Sequence, residues 1–193
     1  MFDFYDEPAG MISCPRQERI AMIAPLYVIT GAMAAGKSTI AKAPVQRFEK
    51  SAHVGGDAFL RMITKGGAVM GPVLGSEAIE QLHLRQDIAM YAVRRFVGAG
   101  FTTVYRDILI GADFVRVKQA LADLSPRIVV LNPDVETLAR RDAERHKTGY
   151  GEHFPPNVLA EALQKDTPRE GLWLDTSTMS IETVVEQIIR TRR

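Results

Sequence analysis

The 193-residue sequence has little cysteine, no long apolar segment and no excess of charge of either sign. Its single cysteine, Cys14, excludes an internal disulfide bond and is typical of a protein from a reducing compartment. No apolar run approaches the roughly 18 residues that a membrane-spanning helix needs. The acidic residues 1–7 are unlike the basic start of a secretory leader. We therefore expect a cytoplasmic protein without a membrane partner.

The charge balance also bears on the class of partner. The chain carries 24 Lys and Arg against 23 Asp and Glu, a formal net charge of +1. Proteins that bind nucleic acid usually have an excess of basic side chains that contact its phosphates. A nucleic-acid partner is therefore not expected, whereas the oligomeric state stays open.

The chain length and the positions of proline and glycine predict one domain over residues 25–193, preceded by an extension over residues 1–24. An apolar content of 46% and a charged content of 24% are ordinary for a globular domain. The extension has no clean hydrophobic period and is interrupted by Pro8, Gly10 and Pro15.

The most specific pattern is a glycine-rich turn that matches G-x-x-x-x-G-K-[ST] over residues 31–38. A short β-rich run, residues 26–30, precedes the turn, and a helical start follows it, which is the context that such a phosphate-binding loop requires. Successive backbone N–H groups and the helix N-terminus would hold phosphate, Lys37 would contact the β- and γ-phosphates, and Ser38 would bind Mg²⁺. The predicted nucleotide contacts are Gly31, Ala32, Met33, Ala34, Ala35, Gly36, Lys37, Ser38 and Thr39.

Strands and helices alternate along the rest of the chain, which predicts an α/β fold with a parallel sheet and helices on both faces. Pro44 is unexpected in the helix after the turn, because a mid-helix proline costs about 3 kcal/mol. The predicted strands are residues 26–30, 51–56, 101–105, 127–131 and 172–175.

Two carboxylates follow neighbouring strands at the edge where such sheets bind ligands. Asp57 is either the N-cap of the next helix or the base that accepts a proton from an attacking hydroxyl. Arg61, one helical turn later, would share that face and contact the acceptor, or is a solvated charge. Asp107 is either a turn-initiating residue or the acid that holds Mg²⁺.

A basic helical segment precedes the glycines at positions 149 and 151. Charged helix faces are usually solvated, but arginine is also the usual partner of phosphate. We expect one of Arg140, Arg141 and Arg145 to neutralise charge on the transferred phosphate, with Arg141 and Arg145 as the favoured pair. The glycines would hinge a short lid.

Together these residues resemble the small P-loop kinases. The stretches 53–57, 100–107 and 167–177 are most similar to the chloramphenicol phosphotransferase-like and zeta-toxin-like proteins, often described as AAA-type ATP-binding proteins. The resemblance covers about residues 25–190. Two positions depart from that group's pattern: Met33 stands where a small residue is frequent, and Arg106 stands where an acid can precede the strand-end aspartate.

The resemblance implies a P-loop NTPase fold with five parallel strands in the order 2-3-1-4-5, ATP and Mg²⁺ as cofactors, and Asp57 as the base. It also implies that residues 175–177 lie near the adenine. The predicted function is an ATP-dependent phosphotransferase that moves the γ-phosphate to a hydroxyl of a small molecule of antibiotic, nucleoside or sugar type. The alternatives are a nucleotide or polynucleotide kinase and a non-catalytic ATP-binding switch.

Overall fold

The computed structural model describes residues 24–71, 73–144, 150–151 and 153–190, with the backbone alone at Pro44. Nearly all of the predicted extension lies outside these residues. So do Arg145 and most of the predicted lid. The strands are β1 (Leu26–Gly31), β2 (Ser51–Gly55), β3 (Thr102–Arg106), β4 (Arg127–Leu131) and β5 (Leu172–Leu174). The α-helices are α1 (Lys37–Val45), α2 (Gly56–Leu60), α3 (Ser76–Gly98), α4 (Ala112–Ala120), α5 (Val135–Ala143), α6 (Pro156–Asp166) and α7 (Ile181–Arg190), and a short 3₁₀ helix spans Ala122–Leu124.

The five strands form one parallel sheet in the order β2-β3-β1-β4-β5. Because β1 is central, its carboxyl end lies between the ends of β3 and β4. In the register of the sheet, Gly55 of β2 lies opposite Arg106 of β3, which in turn lies opposite Ile29 of β1. The predicted fold and strand order are confirmed.

Each face of the sheet carries its own apolar cluster. Side chains alternate across a strand, so Leu26 and Val28 of β1 pack on one face and Tyr27 and Ile29 on the other. Buried residues of α3 and α4 complete the first cluster, and those of α1, α5 and α7 complete the second. The sheet is thus held rigid from both sides, which fixes the loops at its carboxyl edge.

Helix α1 differs from what the pattern predicts. It ends at Val45, so Pro44 falls in its last turn and not in its middle. The buried side of helix α3 carries the polar residues Arg85 and Gln86 among apolar ones. None of the described helices is both long and apolar enough to cross a lipid bilayer.

Candidate functional site

The glycine-rich turn joins β1 to α1 and bends sharply because three residues take positive φ angles. Gly31 has φ +148°, Ala34 has φ +63° and Gly36 has φ +91°. A Cβ on Gly31 would overlap the carbonyl oxygen of Leu131 on β4, so only glycine fits between the two strands there. The turn therefore depends on both local backbone angles and the neighbouring strand.

Lys37 is the first residue of α1 and is largely buried beside this turn. Its Nζ donates to the carbonyl oxygens of Gly31 at 3.0 Å and Ala32 at 2.8 Å. The ammonium thus lies at the centre of the loop that carries it. Ser38 and Thr39 follow on the first turn of α1, and both are exposed.

A cavity of about 610 Å³ opens above the turn at the carboxyl edge of the sheet. The nucleotide contacts predicted from Met33 to Thr39 line it, together with both predicted carboxylates, Asp57 and Asp107. Arg106, Ile108 and Arg141 also line it, as do Thr176, Met179, Ile181 and Val184. Residues that lie more than 100 positions apart in the chain therefore share one space.

Asp57 is the second residue of α2, and Gly55 holds the N-cap position without a side-chain capping bond. The interpretation of Asp57 as an N-cap is therefore wrong, because the helix starts one residue before it. Its Oδ2 accepts a hydrogen bond from Nη1 of Arg106 at 2.9 Å. Burial raises the pKa of Asp57, but the bond and charge of Arg106, with the charges of Lys37 and Arg85, outweigh burial and lower that pKa overall.

Asp107 follows β3 directly and is buried. Its Oδ1 accepts from the backbone N–H of Ile108 at 2.8 Å and lies 3.4 Å from Nη2 of Arg85. Burial raises the pKa of Asp107, and the positive charge of Arg85 opposes that rise. Two oxygen donors, Ser38 and Asp107, thus line one cavity, and oxygen is the ligand atom that Mg²⁺ prefers.

Gly56 provides the space that the Asp107 carboxylate occupies, since a Cβ there would overlap its Oδ2. Gly56→Ala is expected to lower the free energy of unfolding by about 1–3 kcal/mol, because the short, hydrogen-bonded carboxylate must rotate out of its place. Urea-induced unfolding measures the change.

Gly98→Ala is the matched control, since Gly98 is also helical and an added Cβ would meet nothing within 4 Å. Equal losses in the two variants would contradict the packing of Gly56 against Asp107.

The three predicted arginines have different positions. Arg141 lines the cavity, and its Nη2 donates to the carbonyl oxygen of Thr176 at 2.7 Å. Arg140 is exposed and lies within 3.4 Å of Thr137 Oγ1, and Arg145 is outside the described residues. Of the predicted arginines in the described part of the chain, Arg141 is therefore the one at the cavity.

The segment after the undescribed residues 145–149 returns to the turn. The Tyr150 hydroxyl donates to the carbonyl oxygen of Met33 at 2.7 Å, and the Tyr150 N–H donates to Asp142 at 3.1 Å. Arg61 lies just beyond α2 and is exposed, and it is not among the residues that line the cavity. Asp175 is also exposed and binds Ser177, whereas Thr176 faces the cavity.

The sequence did not predict the contacts of two charged residues in this region. Arg85 lies on the buried side of α3 and reaches Asp107, and Arg106 bridges β3 to Asp57. A signal existed for Arg85, because it interrupts the apolar positions between Leu82 and Ala89. Arg106 also differs from the pattern of the group that the chain resembles, but the sequence did not show which residue Arg106 contacts.

Solved structures with a similar fold include kinases and a resistance protein. The chain is similar to the Mycobacterium tuberculosis APS kinase in complex with AMPPNP and APS (16% identity, TM-score 0.60, 86% of this chain and 96% of that one). It is also similar to the Deinococcus radiodurans tunicamycin resistance protein (19%, 0.59, 86% and 93%) and to a sugar kinase from Janibacter (19%, 0.58, 86% and 92%). No protein-family model and no curated protein matches the sequence.

These structures share less than 25% identity with the chain, so what they show is its fold. The chain has the P-loop kinase fold, with its five-stranded parallel sheet in the order predicted. The narrower resemblance to chloramphenicol phosphotransferase-like and zeta-toxin-like proteins stays a prediction.

Proposed function

We propose that the protein is an ATP-dependent phosphotransferase that moves the γ-phosphate of ATP to a hydroxyl of a small molecule of antibiotic, nucleoside or sugar type. The observation that carries this proposal is the single cavity in which the glycine-rich turn, Lys37 and Ser38 face two carboxylates, Asp57 and Asp107. Phosphoryl transfer needs positioning and charge stabilisation more than covalent chemistry, and these groups supply both.

The nucleotide would lie along the turn, with its phosphates on the backbone N–H groups of residues 32–38 and on the N-terminal end of α1. Lys37 would exchange its carbonyl partners for phosphate oxygens. For the adenine, the cavity offers apolar side chains of Met179, Ile181 and Val184. Thr176 lines the cavity as well, and its hydroxyl has no hydrogen-bond partner in the part of the chain that the structure describes.

Ser38 and Asp107 would hold Mg²⁺, together with phosphate oxygens and water. When bound, the metal neutralises charge on the phosphates of ATP. Asp107 suits this role because it lines the same cavity as Ser38 and because Ile108 and Arg85 hold its carboxylate in place.

Asp57 would orient the acceptor hydroxyl and take its proton. The hydroxyl oxygen forms the new bond to the γ-phosphorus, the bond between that phosphorus and the leaving ADP oxygen breaks, and the proton passes to the carboxylate. The lowered pKa of Asp57 keeps the carboxylate ionised at neutral pH, so it carries the charge that orients the hydroxyl. Arg141, which lines the cavity, would stabilise the charge of the transferred phosphate.

The similar structures support a kinase as the class of enzyme, but they do not indicate its acceptor substrate. Kinases of a sugar and of APS, and a tunicamycin resistance protein, share the fold. Their acceptors differ from one another, so the fold alone selects none of them.

The test is a screen with γ-labelled ATP and Mg²⁺ against hydroxylated antibiotics, nucleosides and sugars. Label recovered on an acceptor supports the proposal, and label recovered on a nucleotide or on an oligonucleotide end would make the alternative kinase correct. ATP binding without transfer or release of phosphate would instead favour a nucleotide-dependent switch.

A further inference from the structure

We infer that Arg106 is a positioning residue that holds Asp57 in the orientation in which its carboxylate meets the acceptor hydroxyl. The inference rests on the proposed function, since it assigns a task to Asp57. The observation behind it is a chain of side chains, His53, Arg106 and Asp57, that crosses from β2 through β3 to α2.

Arg106 is bound at two points of its guanidinium. Its Nε donates to Nε2 of His53 at 3.2 Å, and its Nη1 donates to Oδ2 of Asp57 at 2.9 Å. Two bonds to different partners fix both the position and the plane of the group. A lysine offers a single ammonium and cannot reproduce that planar bridge.

His53 is suited to act as the acceptor. Burial, then the charges of Arg106 and Lys42, lower the pKa of His53, so the imidazole is neutral near pH 7. A neutral imidazole that accepts at Nε2 carries its proton on Nδ1. The histidine thus anchors the far side of the guanidinium without competing for the charge of Asp57.

Gly55 packs directly against the guanidinium of Arg106. It lies opposite Arg106 in the register of β2 and β3, and a Cβ there would lie 3.0–3.3 Å from guanidinium atoms of Arg106. A larger residue at position 55 would therefore displace the guanidinium by a few tenths of an ångström.

Arg106 is less exposed than Asp57, the residue that it holds. The side chain of Arg106 is 12% exposed, whereas that of Asp57 is 50% exposed and lines the cavity. Arg106 engages Oδ2, and among the described residues it is the hydrogen-bond partner of the carboxylate, which leaves Oδ1 for a hydroxyl. A buried cation thus presents a half-exposed carboxylate in one orientation.

Other charges surround Asp57 but do not orient it. Lys37 on α1 and Arg85 on α3 act on it as positive charges, and Asp107 beyond β3 acts as a negative one. None of these three forms a hydrogen bond to the Asp57 side chain in the described structure. Arg106 therefore differs from the other charges in that its hydrogen bond fixes the orientation of the Asp57 carboxylate.

The alternative is that the Arg106–Asp57 pair only ties α2 to the sheet. The two roles differ in what Arg106 does once Asp57 is gone. A positioning residue acts through Asp57, so removing both should cost little more than removing Asp57 alone. If Arg106 only tied α2 to the sheet, or if it contacted phosphate directly, its loss should lower the rate by the same factor with or without the Asp57 carboxylate.

The experiment is a double-mutant cycle on the rate of γ-phosphate transfer to the acceptor found in the screen, or on ATP hydrolysis to water if that is the turnover observed. The variants are Arg106→Gln, Asp57→Asn and the double variant, with Arg106→Lys as a milder change that keeps the charge. Arg94→Gln is the matched control, since Arg94 is paired with Asp123 at 2.7 and 2.8 Å, away from the cavity residues. Circular dichroism and thermal unfolding check that each variant is folded.

Arg106→Gln should lower kcat by about 10- to 100-fold with the KM for ATP within about threefold, as expected for a misplaced catalytic group. In the Asp57→Asn background, Arg106→Gln should lower kcat by less than about threefold. The kcat of Arg106→Lys should stay well below that of the wild type. Equal factors in both backgrounds, or a wild-type rate in Arg106→Lys, would overturn the inference. A wild-type protein that neither transfers nor releases phosphate would overturn the proposed function itself, which is a different result from an active enzyme with an additive cycle.

Discussion

Asp57→Asn is expected to lower the rate of γ-phosphate transfer by about 10²- to 10⁴-fold, the range that a general base contributes. Asparagine keeps the size of the side chain, and its oxygen can still accept the bond from Nη1 of Arg106. What it loses is the charge that orients the hydroxyl and accepts its proton. Because Asp57 lies at the edge of α2 and not in the glycine-rich turn, the affinity for ATP with Mg²⁺ should change by less than about threefold, a factor that corresponds to under 1 kcal/mol.

The measurement pairs initial rates of transfer with calorimetric titration of ATP. Asp123→Asn is the control, since Asp123 is another exposed aspartate paired with an arginine, Arg94, and it does not line the cavity. A variant of Asp57 that transfers phosphate at the wild-type rate would show that the base lies elsewhere, and one that no longer binds ATP would show that Asp57 belongs to the nucleotide site.

Lys37→Met is expected to lower transfer by about 10²- to 10³-fold, as does the loss of one preorganised donor to developing charge. Methionine keeps much of the apolar length of the side chain and removes the ammonium. The affinity for ATP should fall in the same variant, because Lys37 would contact the phosphates in the ground state as well as in the transition state. Loss of both rate and affinity would therefore distinguish Lys37 from Asp57.

Rates and ATP affinity are measured as for Asp57, and thermal unfolding is followed as well, because Nζ of Lys37 also supports two carbonyl groups of the turn. Lys165→Met is the control, since Lys165 is exposed on α6 and pairs with Glu161 away from the cavity. Unchanged ATP affinity in Lys37→Met would contradict the assignment of the turn as the phosphate site.

The sequence predicted the glycine-rich turn between a strand and a helix because every feature of it is local. The two glycines, Lys37 and Ser38 follow one another within eight residues, and a strand and a helix flank them. The positive φ angles of Gly31 and Gly36 agree with the glycines at those positions. Alternation of strands and helices predicted a parallel sheet in the same way, since a parallel connection needs a crossover helix.

Local patterns were less reliable where two roles use the same residue type. Asp57 follows two glycines and precedes apolar residues, which is typical of an N-cap, yet the helix begins at Gly56. Gly56, the first residue of the helix, packs against the carboxylate of Asp107, a contact between distant residues that no local pattern reveals. The three- and four-residue spacing of apolar residues over positions 76–98 predicts Ile79 and Phe96 on the buried face of α3. In the structure these two side chains are 39% and 40% exposed, whereas Arg85 and Gln86 of the same helix are buried.

By itself, then, the sequence determined the glycine-rich turn, the succession of elements and the carboxylates at strand ends, since each depends on neighbours within a few residues. Tertiary structure alone decided that Arg106 meets both His53 and Asp57, that Arg85 reaches Asp107, and that Arg141 and Thr176 face the same cavity as Lys37. The physical reason is that these contacts join residues brought together by the order and register of the sheet, and that geometry exists only once the strands have paired.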